Sequence, residues 1–272
     1  MVIQHHTYTL ERYRDIYMAR WKYLLAPLLC TSFITQAQSA EGHDSTKQWQ
    51  HSIEIYALAL NIRGDTSIAN LSTDVDVDPS FIMDHLDMGA MLRLEGIYDN
   101  QWGYYVDYSF MKLSGKADSI VGNAGLLKGE VDIRQGVLET KGFKRYQYDF
   151  GMIDYMVGFR WWDNDIDTKL YSSGGLINNS RSLDEDWIDY LIGARWTQQL
   201  NSDWRVHASI DIGFGSDTDF TSGILLGTRY QINDWSDLNI AYKSTWVDYS
   251  NPGTFSYDTA SQGFLVGWAA HF

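Results

Sequence analysis

His85 stands in FIMDHLD between Asp84 and Asp87, and His207 stands two residues before Ser209 in RVHASID. A histidine beside carboxylates can serve as a general base, and a histidine near a serine can activate a nucleophile. The first set would suit peptide hydrolysis and the second lipid-ester hydrolysis. Each has a plainer reading. On a strand, residues i and i+2 lie roughly 7 Å apart, too far for the hydrogen bond that nucleophile activation needs. FIMDHLD reads equally well as the end of a loop entering a strand. The chain is therefore not expected to be an enzyme, and no cofactor is expected.

Carboxylates form a second group: DVDVD (Asp74, Asp76, Asp78), DNDID (Asp163, Asp165, Asp167) and DED (Asp184, Glu185, Asp186). Alternate aspartates share a strand face, so a divalent cation could bridge them through carboxylate oxygens. DNDIDTK starts like a calcium-binding loop, but Thr168 replaces its turn glycine and Gly174 its closing glutamate. A solvated acidic rim explains the same residues. The formal net charge is −14; residues 1–40 hold four basic and two acidic residues, leaving the remainder near −16. Nucleic acid is not an expected partner, because its backbone demands basic surface.

A third group is spread thinly through apolar segments: Arg93, Glu95, Asp107, Asp132, Arg134, Asp154, Arg160, Asp189, Arg195, Arg205, Asp211, Arg229 and Lys243. Both signs occur in similar number, so these groups could pair across a narrow enclosed space or line a small pore. Which applies depends on the elements that carry them. In residues 187–199, Ile188, Tyr190, Ile192, Ala194 and Trp196 alternate with Asp189, Gly193, Arg195 and Thr197. In residues 203–214, Trp204, Val206, Ala208, Ile210, Ile212 and Phe214 alternate with Arg205, His207, Ser209, Asp211 and Gly213. That is a strand period.

Ten such segments are expected, near 50–63, 88–98, 102–114, 129–142, 150–164, 187–199, 203–214, 220–232, 236–248 and 258–272. Each reaches the roughly 9–11 residues that a tilted strand needs to cross a bilayer. The connectors alternate in kind. DNQW (99–102), LNSDW (200–204) and INDWS (232–236) are tight Asn/Asp turns leading into tryptophan, whereas 64–87, 115–128, 165–186, 215–219 and 249–257 are longer or more acidic. The turn after the fourth segment, in KGFKRYQYD, is the least distinct. Short turns at one rim and long loops at the other are a feature of membrane-spanning barrels. Alternation alone would also fit a soluble sandwich. Eleven tryptophans and eighteen tyrosines, rings suited to a membrane interface, favour the barrel.

The N-terminal region fits export. MARWKYLLAPLLCTSFITQAQSAEG, from Met18, has a basic start, an apolar stretch from Tyr23 to Thr35 and small residues up to Ala40, which is the pattern of a secretory signal. Residues 1–17 precede it awkwardly and read either as an unusual leader or as sequence ahead of the true start at Met18, so the expected division is 1–40 leader and signal, then a single barrel domain over 41–272. Cys30 is the only cysteine and lies inside the signal, which leaves the mature part without disulfide or thiol chemistry.

GFLVGWAAHF, residues 263–272, places Phe264, Val266, Trp268, Ala270 and Phe272 on one strand face. This segment resembles the C-terminal assembly signal of Gram-negative outer-membrane β-barrel proteins. DVDVDPSFIMDHLDMGAMLRLEG, WGYYVDYSFMKLSG, DEDWIDYLIGARW and DIGFGSD further resemble an uncharacterised group among the small, porin-like barrels of that class, over most of residues 49–272. The resemblance implies a cell outer-membrane location reached by the general secretory route, and recognition of Phe264, Val266, Trp268 and Phe272 by the barrel assembly machinery. It implies contact with outer-membrane lipid and lipopolysaccharide, and it transfers no active site. The expected fold is all-β, a monomeric transmembrane antiparallel up-and-down barrel of about ten strands, with eight or twelve left open by a further hairpin in TSIANLSTDVDVD. The expected role is structural or surface-binding, with a narrow solute channel and, behind it, a hydrolase as alternatives. Deleting Phe272 should lower outer-membrane insertion; the check is the yield of folded, heat-modifiable protein, and an undiminished yield would contradict the assembly-signal reading.

Overall fold

The computed structural model describes residues 48–68, 71–117, 127–172 and 178–272. The expected leader and signal, with Cys30, lie outside the described residues. Among the described residues eleven strands and one short helix follow one another: β1 (Trp49–Ile68), β2 (Leu71–Val77), α1 (Pro79–His85), β3 (Leu86–Tyr98), β4 (Trp102–Ala117), β5 (Leu127–Tyr148), β6 (Gly151–Ser172), β7 (Asn178–Gln199), β8 (Trp204–Gly215), β9 (Thr218–Asn233), β10 (Ser236–Asn251) and β11 (Phe255–His271).

Every neighbouring pair is antiparallel, and β11 returns to pair with β1 from Ser52↔His271 to Ile68↔Phe255, so the sheet closes into an up-and-down barrel. Ten strands form the ring. The eleventh, β2, pairs only with the upper part of β1, from Ile62↔Val77 to Ile68↔Leu71. It is the hairpin expected in TSIANLSTDVDVD, and it adds no wall strand because β3 takes the place beside β1 lower down, from Trp49↔Tyr98 to Ile55↔Leu92.

The tight turns follow from their side chains. Asp99 and Asn100 both take positive φ, 52° and 53°, a conformation that Asn and Asp tolerate and that matches strand twist. Asn201 accepts backbone hydrogen bonds from Asp203 and Trp204 through Oδ1, and Asn233 accepts one from Trp235. The turn expected around KGFKRYQYD lies at its very end: β5 runs on to Tyr148, and the chain reverses at Asp149–Phe150 before Gly151, whose φ of +123° favours glycine.

At the opposite rim, the expected loop at 165–186 is mostly strand. β6 and β7 stay paired as far as Tyr171↔Asn178 and project as one long hairpin. The periodicity persists there with its sense inverted. Asp163 and Asp165 point outward into water while Ile166 and Leu183 pack inside, so a search for apolar residues on the outer face ends the strands too early. α1 is capped by Asp78, whose Oδ1 accepts from Phe81 N at 2.8 Å, with Pro79 in the first turn. These bonds hold the Asp78 carboxyl below its usual range.

The wall is inverted relative to a soluble protein. Ile55, Val157, Ile192, Leu226 and Phe264 are each 60% exposed or more on the outside, while Leu265, one residue on and facing inward, is fully buried. Trp49, Trp102, Tyr148, Trp204, Trp235 and Phe272 ring the short-turn end, and Phe220 and Trp246 stand exposed toward the other. An apolar belt flanked by aromatic rings is the surface of a barrel solvated by lipid. Ile192→Arg, on the outer face of β7, should cost about 2–4 kcal/mol, the range for a cation near the bilayer midplane. Denaturant titration of the protein refolded into vesicles checks this, with Gln198→Arg near the short-turn rim as the control expected to stay close to the parent.

Candidate functional site

The charges expected inside the barrel face inward with two exceptions. Asp132 and Arg134 are on the outside. The register aligns Arg134 with Asp165 and Asp184, on the same face of β6 and β7 as the exposed Val157, Phe159, Tyr190 and Ile192. Arg134 Nη2 lies 3.7 Å from Asp163 and 3.3 Å from Asp165, forming an external ladder above the apolar belt. β5 carries charge on both of its faces, so alternation there does not name the inner one. The inner one holds Glu139, Lys141 and Arg145, which the sequence reading passed over together with Glu54 and Asp237.

Near the short-turn end, Arg195 on β7 crosses the lumen to Glu95 on β3, Nη1–Oε2 2.6 Å, and also binds Asp154 on β6 at 2.7 Å. Arg145 approaches Asp154 from the other side with two hydrogen bonds, of 2.7 and 2.9 Å. Arg229 on β9 joins Glu54 on β1 and Asp237 on β10, the latter at 2.7 Å. Asp237 in turn lies 2.8 Å from His271 Nε2. Arg205 donates to Gln199 Oε1 at 3.1 Å. Apart from the enclosed Asp154 and Glu54, these residues line an open vestibule of about 710 Å3.

A second tier closes over the vestibule. Arg160 is 2% exposed and donates to Glu139 at 2.6 Å, Asp211 at 3.0 Å and Thr221 at 3.0 Å. Lys141 links the same two acids, at 2.9 and 2.8 Å. Across the lumen, Arg93 binds Asp107 at 2.9 Å and Glu54 at 3.5 Å, and Asp107 accepts from Tyr56 and Tyr105 as well. Lys243 comes within 3.9 Å of Asp107. With several donors converging on each carboxylate, the desolvation of every charge is offset by charge-assisted bonds. Asp189 lies higher and accepts from Trp162 Nε1 at 2.9 Å.

Above this tier the lumen turns apolar. Trp162, Trp187, Tyr249 and Phe255 stack with Val247; Trp187 and Tyr249 lie face to face at 3.9 Å. On the other side Leu60, Ile62, Met111 and Leu113 receive Ile82 from α1. Local patterning does not reveal this layer, because large inward residues appear only where the outer face has already become polar.

Neither candidate catalytic set assembles. His207 Nε2 pairs with Asn239 Oδ1 at 3.0 Å, and Asn239 donates to Glu54, so the histidine belongs to the charge network rather than to Ser209. His85 Nδ1 sits 2.9 Å from Phe81 O, and its ring stacks on Phe81 at 4.1 Å, which closes the helix end. Asp87 accepts from Ser114 instead of from His85. Among the described residues no group of three or more His, Cys, Asp or Glu is disposed to hold a metal ion. The acidic ladder on β5 to β7 therefore offers no formed cation site.

The fold and its lumen define a membrane-type up-and-down β-barrel with a charge-paired interior. No family model matches the chain, and no curated protein matches it. Solved structures of similar outline include the translocator domain of the autotransporter NalP from Neisseria meningitidis, at 12% identity, covering 97% of each chain, TM-score 0.42. The outer membrane protease OmpT from Escherichia coli shows 10% identity over 86% of this chain and 100% of its own, TM-score 0.43. Ail, the attachment invasion locus protein of Yersinia pestis, shows 10% identity over 84% of this chain and 100% of its own, TM-score 0.34. The barrel assignment rests on the strand register, and no residue role passes from these structures.

Arg160→Met should destabilise the barrel by about 3–5 kcal/mol, because Glu139 and Asp211 would stay buried with only Lys141 between them. Arg160→Met with Glu139→Gln should recover part of that loss. Denaturant titration of the three proteins checks both statements; an Arg160→Met protein as stable as the parent would contradict the pairing.

Proposed function

We propose that this protein is a monomeric Gram-negative outer-membrane barrel whose lumen is plugged by ion pairs and whose role is structural or surface-binding. In this reading it is exported through the general secretory route. The barrel assembly machinery inserts it, with Phe264, Val266, Trp268 and Phe272 as the recognised face. The apolar belt and aromatic rings are what support a bilayer location. Outer-membrane lipid and lipopolysaccharide surround it, and the projecting β6–β7 hairpin with its acidic ladder is the surface presented outward.

The observation that carries the plug is the reach of Arg195. Its guanidinium extends from β7 to Glu95 on β3, four places away around a ring of ten, with both Nη atoms bonded to that one carboxylate at 2.6 and 2.8 Å. Side chains that meet across the lumen narrow the vestibule at that level, and the space beyond them ends at the next tier. The enclosed Arg160–Glu139–Asp211–Lys141 tier is that closure, further up. Lumenal charges that are bonded to one another are spent on pairing rather than left to bind a passing solute, which favours filling over conduction.

Single-channel recording in a planar bilayer tests the reading. The wild-type protein should be silent, and Arg195→Ala with Arg229→Ala should stay silent too, because the Arg160 tier and the apolar layer above it remain. Steady conductance in the wild type would overturn the plug and make the protein a narrow channel for small solutes.

A further inference from the structure

The vestibule holds one unmatched charge. Eight basic side chains line it, and seven of them have a carboxylate within 3.9 Å. Arg205 is the exception among the described residues: its Nε donates to Gln199 Oε1 at 3.1 Å, and no carboxylate meets its Nη atoms. The register sharpens the imbalance, because Arg205 on β8 stands directly opposite Arg229 on β9 with both side chains facing inward. Like charges directly opposite on paired strands are destabilising. Arg229 is relieved by Glu54 and Asp237. The carboxylates whose charge reaches Arg205, Asp237 and Glu95, are bonded elsewhere, the first to Arg229 and His271 and the second to Arg195. Asp203 and Asp234 also border the vestibule, but they stand exposed in the rim turns, where an ion pair in water is worth little.

The space around this charge has the size and lining of a ligand site. About 710 Å3 is within the range of small-molecule pockets, and Asn100, Asp203 and Asp234 of the three tight turns border it, so it opens at the short-turn end. Thr197, Ser209 and Gln231 share the inward face of β7, β8 and β9 around Arg205 and offer neutral hydrogen-bond donors. Ile97, Met152 and Met156 give the same space an apolar wall. With Nε taken by Gln199, the free edge of Arg205 is its Nη1–Nη2 end, whose two N–H groups match the two oxygens of a carboxylate. One unmatched positive charge calls for one negative charge, and a dianion would leave a surplus in a partly enclosed space.

We infer that the vestibule is a binding site for a small organic monocarboxylate, held end-on by Arg205 with its carbon body toward Ile97, Met152 and Met156. The bound acid completes the one unfinished ion pair of the vestibule. This goes beyond the structural role proposed above, and entry and exit by the short-turn mouth require no passage through the lumen.

The test reads the arginines directly. The full chain, carrying 15N-guanidino arginine, is placed in lipid nanodiscs and titrated with butyrate, with butanol and sodium chloride as neutral and ionic controls. The spectrum of Arg205→Lys identifies the Arg205 signals. Butyrate should move them along a saturating curve while the other guanidinium signals move less, and neither control should shift them. In Arg205→Met, broadening of the 13C-carboxyl signal of butyrate should need about ten-fold more protein or more, as the loss of a charge-assisted contact implies. The denaturation midpoint of that variant should match the parent, because no buried acid loses its partner. Shifts that do not saturate, shifts shared with chloride, or broadening undiminished in Arg205→Met would overturn the site. A midpoint lowered as far as in Arg160→Met would make Arg205 a structural partner and overturn it too. Tighter saturation by inorganic phosphate than by butyrate would overturn the carboxylate assignment. Should Arg205→Met fail to fold, the wild-type titration decides alone.

Discussion

A charge on this barrel has two tolerable places, in water beyond the apolar belt or inside against an opposite charge. Arg160 shows how strict that choice is: fully enclosed, it holds Glu139, Asp211 and Thr221 at once. Three strands, β6, β5 and β8, and a fourth, β9, are thereby tied at one level. A one-residue slip of any of them would turn the inward charge into the lipid and bring an apolar residue against the network. The registry of the wall and the pairing of the lumen are thus the same constraint seen from two sides. The aromatic rings at the membrane borders then fix the height at which the belt sits.

The lumen is graded along its axis. The vestibule at the short-turn end is open and charged, the middle tier is charged and buried, and the top is apolar. This order follows from where water is available. Arg205 and His271 remain partly exposed in the vestibule, whereas Asp107, Asp154 and Arg160 are enclosed. Above them Trp162 and Trp187 close ranks with residues of β10 and β11, and α1 adds Ile82 from the outer side. The histidines that looked chemically promising are absorbed into this grading, His207 through Asn239 and His85 through its own helix.

Much of the architecture was legible in sequence, for physical reasons that also mark where legibility stops. β7, β8 and β11 alternate cleanly because one face meets lipid and the other meets charge, and DNQW, LNSDW and INDWS announce their turns through Asn and Asp. β5 misleads because it bears charge on both faces: Asp132 and Arg134 lie outside above the belt, while Glu139 and Lys141 lie inside. The outer extensions of β6 and β7 were hidden because water replaces lipid there and the pattern inverts. Partners across the lumen, such as Glu95 with Arg195, are a hundred residues apart, and no local spacing reveals them.

The closure between β1 and β11 has a kinetic meaning. Apart from β1–β3, which has β2 and α1 between its strands, every other junction of the ring joins consecutive strands, so each can zip as a hairpin as soon as its connection forms. The β1–β11 junction places Ser52 opposite His271 and can form only after the eight intervening wall strands are in order. Its entropic handicap is small, since each doubling of loop length adds only about 0.6 kcal/mol, but its timing is imposed. Until that step both β1 and β11 present bare edges, and the half-built sheet is an open template for pairing with any other strand. The long register from Ser52 to Ile68 makes the final joining hard to reverse, so the barrel passes from its most vulnerable form to its most protected one in a single event.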